Sequence, residues 1–159
     1  MLYYTFLFFA KIDNMKIYDL ESLSTAESCT GGAIAKKIVA KSGASKYFKG
    51  GIIAYSNQAK EQILGVNAAL LKKYGAVSRQ VVLAMAEGAS RIFETDYSVA
   101  TSGIAGPLGA TKNKPVGLVW IGIKTPKKLT AKKFIFKGTR GAIIRQATDK
   151  ALELLEKLS

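Results

Sequence analysis

Apolar positions along the chain follow two periods, and the periods alternate. Runs of strand composition lie at Ser22–Ser28, Tyr47–Tyr55, Asp96–Gly103, Val116–Lys124 and Ala131–Lys137. Gly50-Gly51 inside the second run predicts a bulge or a close backbone approach. The remaining stretches repeat with the helical period. Thr30–Lys41 sets Ile34, Ile38 and Val39 on one side and lysines on the other. Ser56-Asn57 caps a second helix that Gly65 stops, and a short helical turn runs on to Tyr74. Ser78 opens a longer helix to about Phe93, with Val81, Val82, Met85 and Ala89 on one face. Thr139–Leu158 turns Ile143, Ala147, Leu152 and Leu155 inward. Strands alternate with helices, then two strands follow each other, then a helix closes the chain. That order predicts an α/β protein: a three-layer α/β/α sandwich with a mixed β-sheet, in a single domain.

A chain of 159 residues, 48% apolar, suits one domain with a real core. The segment Met1–Ile12 is apolar but far too short to span a bilayer, and it lacks the charged start and cleavage site of a signal peptide. It reads as a strand or helix over an apolar face, or as an extension ahead of a start at Met15; these stay open. A single cysteine leaves no internal disulfide and fits a reducing, cytoplasmic compartment.

Composition also limits the chemistry. The chain has no histidine, which removes Ser-His-Asp triads, Cys-His dyads and the usual zinc sites. A nucleophile must then be activated by lysine, tyrosine or a carboxylate. The net charge of +13 would attract polyanions or phosphorylated small molecules. Its lysines are dispersed, however, and no arginine-rich tract or aromatic-basic reader pattern appears, so no specific nucleic-acid partner is expected.

Three stretches carry candidate chemistry. Thr25–Gly32 (TAESCTGG) brings Ser28, Cys29 and Thr30 to a strand-to-helix junction. Thr30, Gly31 and Gly32 there are candidates for backbone N–H contacts to an oxyanion or phosphate. Tyr55 stands at the end of the second strand, and Lys60 in the first turn of the helix that follows. Gly103-Ile104-Ala105-Gly106-Pro107 opens a glycine-rich loop after the third strand. Ligands bind beyond the carboxyl ends of strands in open α/β sheets, so Ser28, Tyr55 and the Gly103 loop are expected to gather there. Read on composition alone, the octet is equally an ordinary polar connection, Lys60 an exposed helical lysine and Tyr55 a packed aromatic.

The blocks TAESCTGG, YFKGGIIAYSNQAK, GAVS, SGIAGP, KPVGLVW and GTRGAIIRQA, in this order, resemble the CinA C-terminal domain family, whose stand-alone members include PncC-type nicotinamide mononucleotide deamidases. The resemblance runs from about Ser22 to the C-terminus. It implies a divergent segment over residues 1–21 and a CinA C-terminal-like amidohydrolase domain over 22–159. It implies an amidase that hydrolyses the carboxamide of nicotinamide mononucleotide to nicotinic acid mononucleotide and ammonia, needing no metal or cofactor, and a homodimer or higher homo-oligomer. The matching positions imply Ser28 as nucleophile with Lys60 and Tyr55 handling its proton. They imply Gly103, Ala105 and Gly106 as a substrate cradle. Arg140 or Arg145 could reach the 5′-phosphate. Cys29 is expected to be a buried, inert thiol. Leu108 after the proline and the segment before Ser22 depart from the family pattern. The rival functions are an inactive interaction module of the same family and a basic nucleic-acid-binding protein.

Overall fold

The computed structural model of the protein describes residues 16–158. Expectations for Met1–Ile12 and for a start at Met15 fall outside these residues. Five strands, β1 (Leu23–Glu27), β2 (Phe48–Ile53), β3 (Tyr97–Gly103), β4 (Leu118–Lys124) and β5 (Leu129–Ile135), form one sheet in the order β2-β1-β3-β4-β5. β1 runs parallel to both β2 and β3, while β4 and β5 are added antiparallel, so the sheet is mixed as expected. Five helices cover it: α1 (Ala33–Val39), α2 (Asn57–Gln62), α3 (Ala68–Tyr74), α4 (Arg79–Phe93) and α5 (Arg140–Leu158). The expected bulge is present: Leu23 pairs with Phe48 and Ser24 with Gly50, which leaves Lys49 as the extra residue.

Alternation along β1 and β3 splits the core in two. Leu23 and Val99 face α1 and α5, where Ile34, Ile38, Ile143, Ala147, Leu152 and Leu155 pack. Ala26 and Ala100 face α4, where Val81, Val82, Met85 and Ala89 pack with Leu64, Val66 and Leu71. Each fully buried aliphatic side chain of this kind contributes about 1.5–3 kcal/mol. The first core begins before residue 22, because Ile17, within a 3₁₀ turn at Lys16–Asp19, and Leu20 just after it pack into it. Val39 was expected on the inward side of α1 but is 55% exposed. α1 has only seven residues and Val39 is its last, so its buried stripe stops at Ile38. Among the described residues no helix is long and apolar enough to cross a membrane.

Gly117 ties the loop that begins at Gly103 to the far edge of the sheet. Its N–H donates to the Ile104 carbonyl at 2.7 Å, and its carbonyl accepts from Phe136 N–H at 2.9 Å. Its φ is +90°, and a Cβ would run into the Phe136 carbonyl oxygen. Gly117→Ala is therefore expected to lose about 2–3 kcal/mol in urea unfolding. Gly109→Ala is the control: φ is +94° there too, but the nearest atom to a Cβ is 3.6 Å away. It should lose only the roughly 1–2 kcal/mol of left-handed strain.

Candidate active site

β1, β2 and β3 are mutually parallel, so their carboxyl ends share one edge of the sheet. A cleft of about 240 Å³ opens there, walled by Ser28, Cys29, Tyr55, Asn57, Lys60, Ser102 and the Gly103–Gly106 loop, with Leu108 and Arg140 beside it. Of the residues singled out from the sequence, Ser28, Tyr55, Lys60, Gly103, Ala105, Gly106 and Arg140 line it.

Lys60 is the centre of the cleft. α2 starts at Asn57 on the Ser56 cap, whose hydroxyl accepts from Ala59 N–H at 3.0 Å. The helix points Lys60 back under the sheet edge, where the side chain is only 1% exposed. Its Nζ donates to Ser28 Oγ at 3.0 Å, to the Ala54 carbonyl at 2.7 Å and to the Tyr55 carbonyl at 3.4 Å. An ammonium has three donors, and these three oxygens account for them. Burial pushes the Lys60 amine below the ordinary lysine range, and the neighbouring Cys29 opposes this only in part.

Ser28 follows the last residue of β1. Its N–H donates to the Thr101 carbonyl at 3.0 Å, and its carbonyl accepts from Gly31 N–H at 3.1 Å. Cys29 packs into the core on the α1/α5 side, is 7% exposed, and contributes to the cleft wall. Burial pushes its thiol up to about 12, so at neutral pH it is not a thiolate.

Tyr55 meets Lys60 through its carbonyl rather than its ring. The side chain is 62% exposed, and its hydroxyl accepts from Arg140 Nη2 at 2.9 Å. Arg140, the first residue of α5, also donates from Nη1 to the Gly106 carbonyl at 2.8 Å. The arginine thus joins Tyr55 to the glycine loop across the mouth. Arg145 is exposed and does not line the cleft. Leu108, the departure in the loop, stands 86% exposed at the rim.

The expected anion cradle of Thr30, Gly31 and Gly32 is corrected by the structure. These residues do not line the cleft, and the Thr30 hydroxyl and the N–H groups of Gly31 and Gly32 are already bonded inside the chain. The Glu27 carboxylate, 1% exposed, accepts from Thr30 Oγ1 at 2.7 Å, Gly32 N–H at 3.0 Å, Ile34 N–H at 3.1 Å and Ala35 N–H at 2.8 Å. Gly31 N–H goes to Ser28 and Ala33 N–H to Thr30. An internal carboxylate thus fills the start of α1, where a ligand anion was expected. Glu27, Asn57 and Ser102 were not picked out from the sequence. A signal for Glu27 was there: an acid at the end of a strand, ahead of a helix whose first positions offer Gly-Gly instead of a side-chain cap. Ser102 anchors the opposite wall, its hydroxyl donating to the Ala76 carbonyl at 2.8 Å. Among the described residues no three His, Cys, Asp or Glu side chains cluster so as to hold a metal ion.

The fold and this cleft define an α/β protein with a buried serine–lysine pair at the carboxyl edge of a mixed sheet. Sequence comparison places it: the profile of the CinA C-terminal domain matches residues 10–159, and the chain belongs to that family. It is 49% identical over 140 residues to a CinA-like protein of Thermosipho melanesiensis, covering 87% of this chain and 35% of that protein. It is 46% identical over 136 residues to a putative competence-damage inducible protein of Thermoanaerobacter pseudethanolicus, covering 86% and 33%. The chain therefore spans about a third of the length of these curated relatives. Among solved structures, the competence/damage inducible protein CihA of Agrobacterium tumefaciens superposes with TM-score 0.87 at 37% identity, covering 94% of this chain and 92% of that one. A CinA superfamily protein of Escherichia coli gives 0.87 at 33% identity, covering 94% and 87%.

The buried amine makes stability depend on pH in a defined direction. Below the lowered folded pKa of Lys60 both states carry the charge, and the folded state bears its full desolvation cost. As pH rises through that pKa the folded state sheds its proton first, and stability is recovered up to the unfolded value. Lys60→Met removes this dependence. Its melting temperature relative to wild type is expected to be highest near pH 6 and to fall by a few degrees toward about pH 10, read from thermal melts. A difference constant with pH would show that the amine keeps an ordinary pKa.

Proposed function

We propose that the cleft is the active site of a metal-independent amidase acting on nicotinamide mononucleotide, with Ser28 as nucleophile and Lys60 as its base. The observation that carries this reading is the 3.0 Å contact between Lys60 Nζ and Ser28 Oγ inside the cleft. Supporting it are the lowered pKa of the amine, the absence of histidine, and membership of a family whose stand-alone members the sequence resembles.

When Lys60 is neutral, its two N–H donors stay on the Ala54 and Tyr55 carbonyls and the contact with Ser28 reverses, so that the lone pair takes the Ser28 proton as Oγ attacks the carboxamide carbon. The proton passes to the departing nitrogen, ammonia leaves, and an acyl-serine remains. Water, deprotonated by the same amine, attacks the ester, and nicotinic acid mononucleotide is released as Ser28 regains its hydrogen. Tyr55 supports this through its carbonyl, which helps aim the amine, while its ring and Arg140 frame the mouth. The Gly103–Gly106 loop cradles the substrate, and Arg140 meets the 5′-phosphate. Cys29, protonated and packed into the core, takes no part. We further propose that the protein works in the cytoplasm as a homodimer or higher homo-oligomer.

The test is to incubate pure protein with nicotinamide mononucleotide and measure ammonia and the acid product. Ser28→Ala should abolish turnover, and Cys29→Ala should keep most of it. Lys60→Arg should lose about 10²–10⁴ in kcat, since arginine keeps the charge but cannot accept the proton. The wild-type rate should rise with pH through one ionisation below the ordinary lysine range. Tyr55→Phe should raise KM more than it lowers kcat. Product formation by Ser28→Ala, or Lys60→Arg within roughly tenfold of wild type, would sink the reading.

A further inference from the structure

We propose that Glu27 is the positioning residue of this site: with its carboxylate it fixes the turn that carries Ser28, and with its main chain it fixes the carbonyl cradle that holds Lys60. The inference rests on the reading of Ser28 as nucleophile and Lys60 as base.

The carboxylate side is a ring closed on itself. Glu27 is 1% exposed, and its four donors come from the segment Thr30–Ala35 just ahead of it. A buried carboxylate is tolerated only when it is fully hydrogen-bonded or paired. These four bonds meet that need with neutral donors. They fold residues 30–35 back onto residue 27 and leave Ser28 and Cys29 as the span between the strand and the first clamped residue. Ser28 is then held from both sides. Its carbonyl accepts from Gly31 N–H, between two residues bound by Glu27. Its N–H donates to the Thr101 carbonyl, and Thr101 Oγ1 is hydrogen-bonded to Thr30 Oγ1 at 2.7 Å.

The main-chain side reaches the other partner. The Glu27 carbonyl accepts from Ala54 N–H at 2.9 Å. The Ala54 carbonyl accepts from Lys60 Nζ at 2.7 Å. One residue therefore registers the oxygen of Ser28 and the nitrogen of Lys60 against each other. A simple helix cap needs one acceptor at the residue before the helix. Here that residue is Gly32, which makes no side-chain cap bond, and the acid lies five positions earlier. Four donors thus converge on one carboxylate at the start of a seven-residue helix.

Glu27→Gln and Glu27→Ala separate this role from capping. In Glu27→Gln an amide NH₂ must face one of the N–H donors, and the turn has to shift. Kcat should fall roughly 10–100-fold while KM stays within about threefold, because a misplaced nucleophile damages the chemical step more than binding. Circular dichroism checks that the variant is folded. Glu27→Ala leaves four donors around a space the size of a small carboxylate, so added formate should restore part of its kcat and chloride should not. Crystals of Glu27→Gln should show Ser28 Oγ and Lys60 Nζ out of hydrogen-bond reach. Wild-type kcat in Glu27→Gln, an unchanged Ser28–Lys60 distance, or no response of Glu27→Ala to formate would overturn the proposal. If Glu27→Ala does not fold, Glu27→Gln decides. If neither folds, Thr30→Val decides, since it removes one of the four donors at similar volume; a several-fold loss of kcat supports the proposal and a wild-type rate overturns it. Should wild type show no amidase activity, the proposed function fails, and the Ser28–Lys60 distance in variant and wild-type crystals still decides the role of Glu27.

Discussion

Side-chain alternation at the end of a single strand is the constraint on which this site depends. β1 lies between two parallel neighbours and is buried on both faces, so each of its residues must satisfy one layer or the other. Glu27 falls on the α1 side and closes the turn. Ser28 falls on the opposite side, over Lys60. A slip of one residue would send the acid toward the amine and the hydroxyl into the helix start. The parallel registers with β2 and β3 prevent that slip, because the Ser28 N–H and the Glu27 carbonyl are both tied to neighbouring strand ends.

On the proposed reading, Lys60 illustrates what a base without imidazole requires. A lysine amine titrates far above neutrality in water, so it has to be made unwilling to carry charge. Here burial does this, with no carboxylate among the described residues bonded to the amine; its partners are two carbonyls and a hydroxyl. Such a group weakens the fold near neutral pH, and the apolar packing of both cores has to offset it.

Much of the fold was legible because it rests on local pattern. β1, β3 and β4 are buried on both faces, and α4 and α5 carry clear apolar stripes, so their extents lie within two residues of those read from the sequence. Val39 was misjudged because periodicity cannot tell where a short helix ends. Within the cleft, the order of the blocks and the family resemblance brought Ser28, Tyr55 and Lys60 into view. What stayed hidden depends on partners far apart in the chain or on direction. The Tyr55 hydroxyl turns to an arginine 85 positions away, which no local window reports. Thr30, Gly31 and Gly32 look like a ligand cradle until Glu27 is seen to occupy it.

The contacts of Arg140 divide the site between the two ends of the chain. Ser28 and Lys60 belong to the first half of the chain, whereas the bridge over the mouth needs residue 140 to reach Tyr55 and Gly106. The Ser28–Lys60 pair therefore stands at one end of the cleft without help from the last helix, while the mouth takes its shape only where that helix docks and draws Tyr55 and the Gly106 loop together. Early and late parts of the chain divide the cleft between them, floor from rim.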